Sequence, residues 1–259
     1  MIELTLIGRG ATADVYDWHD GLCLKLFNKG NEASALKEFA ITSSVARLGV
    51  HLAEPHEIID YEGRTGIVYD KIEGTPLNAA IEAEPDSLER FGAIFANIHL
   101  HVHQAEALGL SSPLDELITL IRNDHSLTLL ESQKKKLLAF VQQPLEKSLL
   151  CHFDFHPFNI LVSSDTAYVI DWMNARAFHP LADVAMTSVI LQVAGFPLEL
   201  VVPFHNRYVS TYLEGSSYGR EELQYWEIIL ALARLSEQKP NEAEPIRRLI
   251  ARNVDSLGL

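Results

Sequence analysis

The chain has 259 residues, 47% hydrophobic and 22% charged, which is enough to bury a sizeable core in one large domain or two lobes. It holds no run of about 18 apolar residues that would suit a membrane span, and the opening MIELTLIGRG lacks the basic and apolar regions of a signal peptide. Lys and Arg number 21 against 35 Asp and Glu; the net charge of −14 argues against a broad nucleic-acid footprint and is compatible with a cationic substrate.

Residues 2–7, 13–18 and 22–27 are short apolar-rich runs separated by glycine or polar turns, and read as strands. Residues 31–48 carry Ala35, Phe39, Val45 and Leu48 near one helical face, with Gly49 as terminator. Residues 56–61 and 65–72 read as a hairpin turning at Glu62-Gly63-Arg64. After Gly74-Thr75-Pro76 the texture changes to helical spacing over 87–108, 114–123 and 132–142. Short strands are expected at 148–151, 160–162 and 168–170, with a turn at 163–166. From Leu181 onward the chain is mostly helical, broken near 195–197, 215–219 and 239–240. The expected fold class is α+β: a small strand-rich N-lobe over 1–73 and a larger helical C-lobe over 74–259. Cys23 and Cys151 lie inside apolar runs, which suits buried thiols in a reducing cytosol better than a disulfide framework.

The strongest local signal is His152-Phe153-Asp154-Phe155-His156-Pro157-Phe158-Asn159, an H-x-D-x-x-x-x-N pattern. Twelve residues beyond Asn159, the apolar run Tyr168-Val169-Ile170 delivers Asp171. Phosphoryl transfer needs a carboxylate to orient and deprotonate the acceptor hydroxyl, and oxygen ligands for magnesium. Asp154 suits the first role; Asn159 and Asp171 suit the second. Taken singly, each is an ordinary turn-capping residue beside a hairpin. The N-terminal region supplies a complementary half. Gly8-Arg9-Gly10 lies between two strands, where glycines let backbone N–H groups approach phosphates. No Gly-Lys-Ser/Thr follows, so it is not a Walker A loop. Lys25 sits amid the apolar residues of Cys23-Leu24-Lys25-Leu26-Phe27 and must find a partner. Glu38 on the following helix is the best-placed carboxylate, with Glu32 as a substitute.

With these motifs in place, the segments 150–160, 169–172 and Leu181-Ala182-Asp183 closely resemble the aminoglycoside phosphotransferase and choline kinase group of protein-kinase-like enzymes. In that group a loop of the type HGDLHPGN is followed by an IDW strand and a DLA helix. The resemblance spans nearly the whole chain, including the glycine loop, Lys25, Glu38, a hinge at 68–74 and the helix ending Ile98-His99. It implies that Asp154 is the base, that Asn159 and Asp171 bind Mg2+, and that Lys25 contacts the nucleotide phosphates. Asp183 would tether the catalytic loop and His152 would be part of its scaffold. The adenine of ATP, or the base of GTP in its place, would meet hinge backbone at Asp70 and Ile72. The implied activity is a cytoplasmic kinase acting on a hydroxyl of an aminoglycoside-, amino-alcohol- or sugar-like molecule, with neither nucleic acid nor membrane as partner. Oligomeric state is left open.

Two positions depart from the pattern: Phe153 and Phe158 stand where the family usually has glycine. They keep open a pseudokinase that binds nucleotide without turnover. Asp171 is followed by Trp172 and Met173, and no Ala-Pro-Glu motif comes after it, which favours a small-molecule acceptor over a protein, though an atypical protein kinase shares that lack. His99, His101 and His103 read as packing and surface histidines, with His99 in the C-lobe core. His156 would contact the acceptor or shape the loop beside Pro157. Lys134-Lys135-Lys136 reads as a solvated helix face, and Tyr225 with Trp226 as a core aromatic pair.

Overall fold

The computed structural model describes residues 4–107, 109–124, 126, 128–145, 147–164, 166–195 and 197–259. Residues 2–3 of the first expected strand, 108 of the expected helix, 165 of the expected turn and 196 of the expected break lie outside the described residues. The chain forms two compact units. One holds the chain through Ala79 plus Phe158–Ala175, and the other holds Ala80–Pro157 plus Arg176–Leu259.

The first unit is built on β1 (Thr5–Arg9), β2 (Ala13–Asp17), β3 (Leu22–Phe27), α1 (Glu32–Ala46), β4 (Pro55–Tyr61) and β5 (Arg64–Asp70). The strands form one sheet in the order β1-β2-β3-β5-β4, antiparallel throughout. Strand period decides its faces. Leu24, Leu26 and Val68 are buried on one side, while Phe27, Ile67 and Tyr69 pack with Ala35 of α1 on the other. Lys25 shares the parity of Cys23 and Phe27, so its side chain is sent toward α1. The two-residue β6 (Thr75–Pro76) pairs with β8 (Ile160–Ser163), which continues antiparallel into β9 (Thr166–Val169). The Val169 N–H donates to the His51 carbonyl at 3.0 Å, tying this hairpin to the rest of the unit. Segment 158–175, which chain order alone keeps with the C-terminal lobe, thus groups with the sheet.

Helix α2 (Leu77–Ala83) leads into the second unit, which contains α3 (Leu88–Val102), α4 (Leu114–Arg122), α5 (Glu131–Val141), β7 (Leu149–Cys151), β10 (Arg176–Phe178), α6 (Pro180–Val193), α7 (Leu198–Glu214), α8 (Arg220–Ser236) and α9 (Ala243–Leu257). Helices α2 and the ribbon strand β10 are additions to the elements expected from sequence. β10 pairs with β7 in the register Arg176↔Cys151. Helix α6 is apolar nearly all round and is the buried axis of the unit. Helix α3 lies close along α7 because Gly92 has no side chain: a Cβ there would fall 2.5 Å from the Phe204 carbonyl. Among the described residues, no helix is long and apolar enough to cross a membrane. Cys23 and Cys151 are thiols, half-buried and buried respectively.

Candidate active site

In the first unit the parity of β3 and the face of α1 converge on one ion cluster. Ala35, Glu38, Thr42 and Val45 are the buried residues of α1, spaced along a single stripe that places Glu38 over the sheet. Lys25 Nζ donates to both Glu38 oxygens, at 2.7 and 2.9 Å, and to Asp171 Oδ1 at 3.3 Å. The Tyr69 hydroxyl donates to Glu38 Oε1 at 2.9 Å. Burial opposes the Lys25 charge, but Asp171 and Glu38 outweigh it and raise the ammonium above its ordinary value. Burial also lifts the Glu38 carboxyl, with Lys25 acting against it. Glu32 instead accepts the Gly30 N–H at 3.1 Å, so Glu38 and not Glu32 is the partner of Lys25.

The β8–β9 hairpin sets Asn159 beside Asp171. Ile160 is paired with Val169, and the Ile170 N–H donates to the Asn159 carbonyl at 2.9 Å. Asn159 is buried, whereas the Asp171 side chain keeps 40% of its surface exposed. Asp171 has φ 64° and ψ 58°, a left-handed conformation that non-glycine residues seldom hold outside constrained sites. A carboxylate and an amide oxygen are hard donors, the chemistry that suits Mg2+.

Gly8 lies at an irregularity in the β1–β2 pairing. The Gly10 N–H donates to the Ala13 carbonyl at 2.9 Å, and a Cβ at Gly10 would fall 3.0 Å from that same oxygen. Gly10 therefore permits a tight turn, and its N–H is spent in closing it. Asn28 fixes the turn from outside, donating its N–H to the Thr12 carbonyl at 2.8 Å. At the end of β5, the Asp70 N–H donates to Glu54 and its carbonyl accepts the Cys23 thiol at 3.7 Å; the Asp70 carboxylate lies 2.7 Å from His56 Nε2. Ile72 follows two residues later, past the last strand pair.

In the second unit the loop 152–157 is held by Asp183, wholly buried near the start of α6. Asp183 accepts the backbone N–H groups of His152 and of Phe153, the latter at 2.7 Å. It also lies 3.1 Å from His99 Nε2 and 3.2 Å from His103 Nε2. The other ring nitrogens complete the net: His99 Nδ1 is 2.8 Å from the Tyr208 hydroxyl, and His103 Nδ1 is 2.6 Å from that of Tyr212. His99, kept neutral by burial, thus donates from Nε2 to Asp183 and accepts the Tyr208 proton at Nδ1. Burial, reinforced by His103, pushes His99 down to about 3. Asp183 stays ionised: burial works against its charge, but His99 and His103 hold its carboxyl well below the usual range. The three side chains converge closely enough to ligate a cation, yet each carries out this hydrogen-bonded tethering instead.

Phe155 anchors the same loop from below. Its ring is buried 3.9 Å from His99 and 4.5 Å from Phe95, centroid to centroid. Phe153 has φ 59°, so the position where the family usually has glycine does use the left-handed conformation that glycine favours. Phe158 is not among the positive-φ residues, and its ring is about half exposed. Asp154, between them, accepts no help from strain: its N–H donates to His152 Nδ1 at 3.2 Å, and Oδ1 lies 3.6 Å from His156 Nε2. Burial would raise the Asp154 carboxyl, but His156, His152 and Lys239 together lower it, leaving an ionised acceptor.

Sequence reasoning missed several supports of this loop. His99 and His103 were legible only as packing and surface residues, although their i, i+4 spacing at the end of α3, with His103 as its C-cap, mirrors Tyr208 and Tyr212 on α7. Arg234 also went unread; it chelates Glu242 at 2.6 and 2.8 Å and steadies the segment carrying Lys239. One expectation is corrected. Lys134 is buried, not solvated, because its ammonium donates to the Asp124 carbonyl at 2.6 Å and pairs with Glu131 at 3.1 Å. Lys135 and Lys136 are exposed. Trp226 is buried against Phe140 and Phe178, and Tyr225 stacks on Phe140 at 4.6 Å.

Comparison with known proteins gives one family and one fold. Residues 3–226 match the family model described as the phosphotransferase enzyme family. No curated protein sequence matches the chain. Among solved structures, a thermostable mutant of aminoglycoside phosphotransferase APH(4)-Ia, in ternary complex with AMP-PNP and hygromycin B, matches with TM-score 0.69 at 16% identity, over 98% of this chain and 94% of that one. A choline/ethanolamine kinase family protein from Mesorhizobium loti matches with TM-score 0.60 at 19% identity, over 98% and 87%. Aminoglycoside phosphotransferase APH(3'')-Id from Streptomyces rimosus, in complex with ADP and streptomycin, matches with TM-score 0.56 at 18% identity, over 85% and 89%. The shared fold is the protein-kinase-like one, and both groups that the motifs resemble are represented.

Proposed function

The chain belongs to the phosphotransferase enzyme family, and from that premise we propose that it transfers the γ-phosphoryl group of ATP to a hydroxyl of a small molecule. The observation that carries this reading is Lys25 Nζ, held 2.7 Å from Glu38 and 3.3 Å from Asp171. A half-buried lysine pinned between two carboxylates on different elements is costly as mere structure; as a phosphate-binding cation it is preorganised.

Each residue then has a task. The ionised Asp154 accepts a hydrogen bond from the acceptor hydroxyl and takes its proton as the oxygen attacks the γ-phosphorus. The bond between that phosphorus and the β–γ bridging oxygen breaks, and ADP leaves with its electron pair. The weak basicity of Asp154 suits a loose transition state, in which positioning counts for more than proton abstraction. Lys25 neutralises charge on the departing phosphates, while Glu38 and Tyr69 fix its ammonium. Gly10 acts by shape, keeping the loop narrow enough to lie over phosphates, with Gly8 allowing the strand to bend into it. The Asp70 carbonyl and the Ile72 N–H, two residues apart, are an acceptor and a donor for a purine edge. Asn159 and Asp171 would hold Mg2+, which supplies charge neutralisation at the phosphates when bound.

Neighbouring folds whose structures contain hygromycin B or streptomycin support an aminated, hydroxyl-rich acceptor, as does the net charge of −14. The test is a screen of ADP formation by purified protein with Mg-ATP and aminoglycosides, amino alcohols, sugars and amino acids. ADP formation that depends on one acceptor class supports the proposal and names the substrate. Nucleotide binding without acceptor-dependent turnover in any class favours a nucleotide-binding pseudokinase, and label appearing on protein alone favours a protein kinase.

A further inference from the structure

Outside the catalytic loop and the ion cluster, the second unit contains a cavity of about 730 Å3, a volume in the range of small-molecule sites. It lies where the end of α6, the first half of α7, the start of α8 and the length of α9 come together. Arg220, Arg248 and Arg252 stand around it, against one lining carboxylate, Glu227. In a chain with 35 acidic and 21 basic residues this clustering runs against composition.

The carboxylate forms no ion pair with the arginines among the described residues; its oxygens are engaged by neutral donors instead. Glu227 Oε1 accepts the Ser188 hydroxyl at 2.6 Å and Oε2 accepts Asn253 Nδ2 at 2.8 Å. Ser188 Oγ lies 2.7 Å from His205 Nε2 and accepts from Gln192 Nε2 at 3.0 Å. The floor is thus a hydrogen-bonded polar net that holds Glu227 in place beneath the arginines. Arg252 donates to Gln192 Oε1 at 2.9 Å. Among the described residues no carboxylate lies within 4.0 Å of Arg220 or Arg252, and Arg248 has only the exposed Glu244 at 3.7 Å. The guanidiniums face the cavity floor electrostatically: burial is the main influence holding His205 low, and Arg220 and Arg252 push in the same direction against Glu227. Gly219 begins the 17-residue α8 with no side-chain cap, so the positive end of that helix adds to the field beside Arg220.

The part of the cavity that carries Arg220 and Gln192 stands away from the residues that hold the phosphoryl-transfer loop. Gln192 lies nine residues along α6 from Asp183, roughly 13 Å at the helical rise, and Arg220 lies fourteen residues along α8 from Arg234, roughly 21 Å. We propose that this cavity is a second site that binds a compact polyanion, a small molecule bearing phosphoryl or carboxylate groups, through Arg220, Arg248 and Arg252.

The experiment is calorimetric titration of the full chain with pyrophosphate and, separately, with citrate, in buffer freed of divalent metal on a chelating resin and containing no soluble chelator. Pyrophosphate can also meet Lys25, so each titration is run on wild type, Lys25→Met, Arg220→Ala and Arg220→Ala/Arg252→Ala. The expected result is saturable binding of at least one probe that Lys25→Met retains, that Arg220→Ala weakens about tenfold and that the double variant loses further. Binding of pyrophosphate only identifies a phosphoryl ligand; binding of citrate only identifies a carboxylate one. Arg220 is exposed and pairs with no carboxylate among the described residues, so its replacement leaves the fold intact, which circular dichroism checks. Absence of binding by both probes, or binding lost in Lys25→Met and kept in the arginine variants, overturns the proposal.

Discussion

The Asp183 carboxylate receives the N–H of Phe153 at 2.7 Å, in a loop where Phe153 itself holds φ 59°. The buried acid thus grips the one residue of the loop whose backbone is strained, one position before Asp154. A left-handed conformation costs a non-glycine residue about 1–2 kcal/mol, and the Asp183 net supplies the constraint that keeps it there.

Phe153→Gly removes that strain and gives up a ring that lies 6.5 Å from Phe178. Turnover is expected to stay within about threefold of wild type, with stability changed by no more than about 1 kcal/mol because the two effects oppose each other. Steady-state kinetics and urea unfolding check it. A loss of turnover beyond tenfold would show that the aromatic side chain, and not the backbone conformation, is what the loop needs.

Lys25→Met leaves Glu38 buried without its cation. The expected outcome is loss of turnover by at least about a hundredfold and of about 3 kcal/mol in stability. Adding Glu38→Gln removes the stranded carboxylate, so the double variant should regain most of the stability and none of the activity. Denaturant midpoints of the four members of this cycle, beside their rates, separate the two roles. Additive stability losses would show that the pair is not coupled.

Acid should unfold the protein earlier than its carboxylates alone dictate. His99 is buried neutral, held at about 3 against an ordinary 6.5, so the unfolded chain takes up a proton that the folded one refuses. Stability therefore falls as pH drops from about 6.5 toward 3. Asp183, held ionised well below its ordinary value, adds a further loss at the acid end of that window. Urea midpoints at pH 7.5, 5.5 and 4.5 should decline in that order, and the decline above pH 5 should be smaller in His99→Gln. An equal decline in both proteins would remove His99 as its source.

Much of the site was legible because its chemistry is local. Lys25 stands out as a charge inside an apolar strand, and the strand's period and the stripe of α1 then point it at Glu38. The spacing of Asp154, Asn159 and Asp171 around a short hairpin is likewise carried by contiguous residues. What stayed hidden depends on distant partners. His99 and His103 look like packing residues until α6 brings Asp183, 84 and 80 positions away, between them. Lys134 reads as one of three solvated lysines, since nothing nearby in sequence announces the Asp124 carbonyl that buries it. β10 has three residues and no period to read; its pairing with β7 exists only in the fold. The arginine-lined cavity draws on four helices, no one of which shows it alone.

The most direct test of the central reading is single-turnover transfer from γ-labelled ATP by Asp154→Asn, with the acceptor that the screen identifies, beside nucleotide affinity measured on the same preparation. Asparagine keeps the shape of the side chain and removes the acceptor charge that His156, His152 and Lys239 stabilise. The account predicts that transfer falls by about a thousandfold while nucleotide affinity stays within about threefold, since Lys25, Glu38 and Asp171 are untouched. Transfer at the wild-type rate by this variant would contradict it.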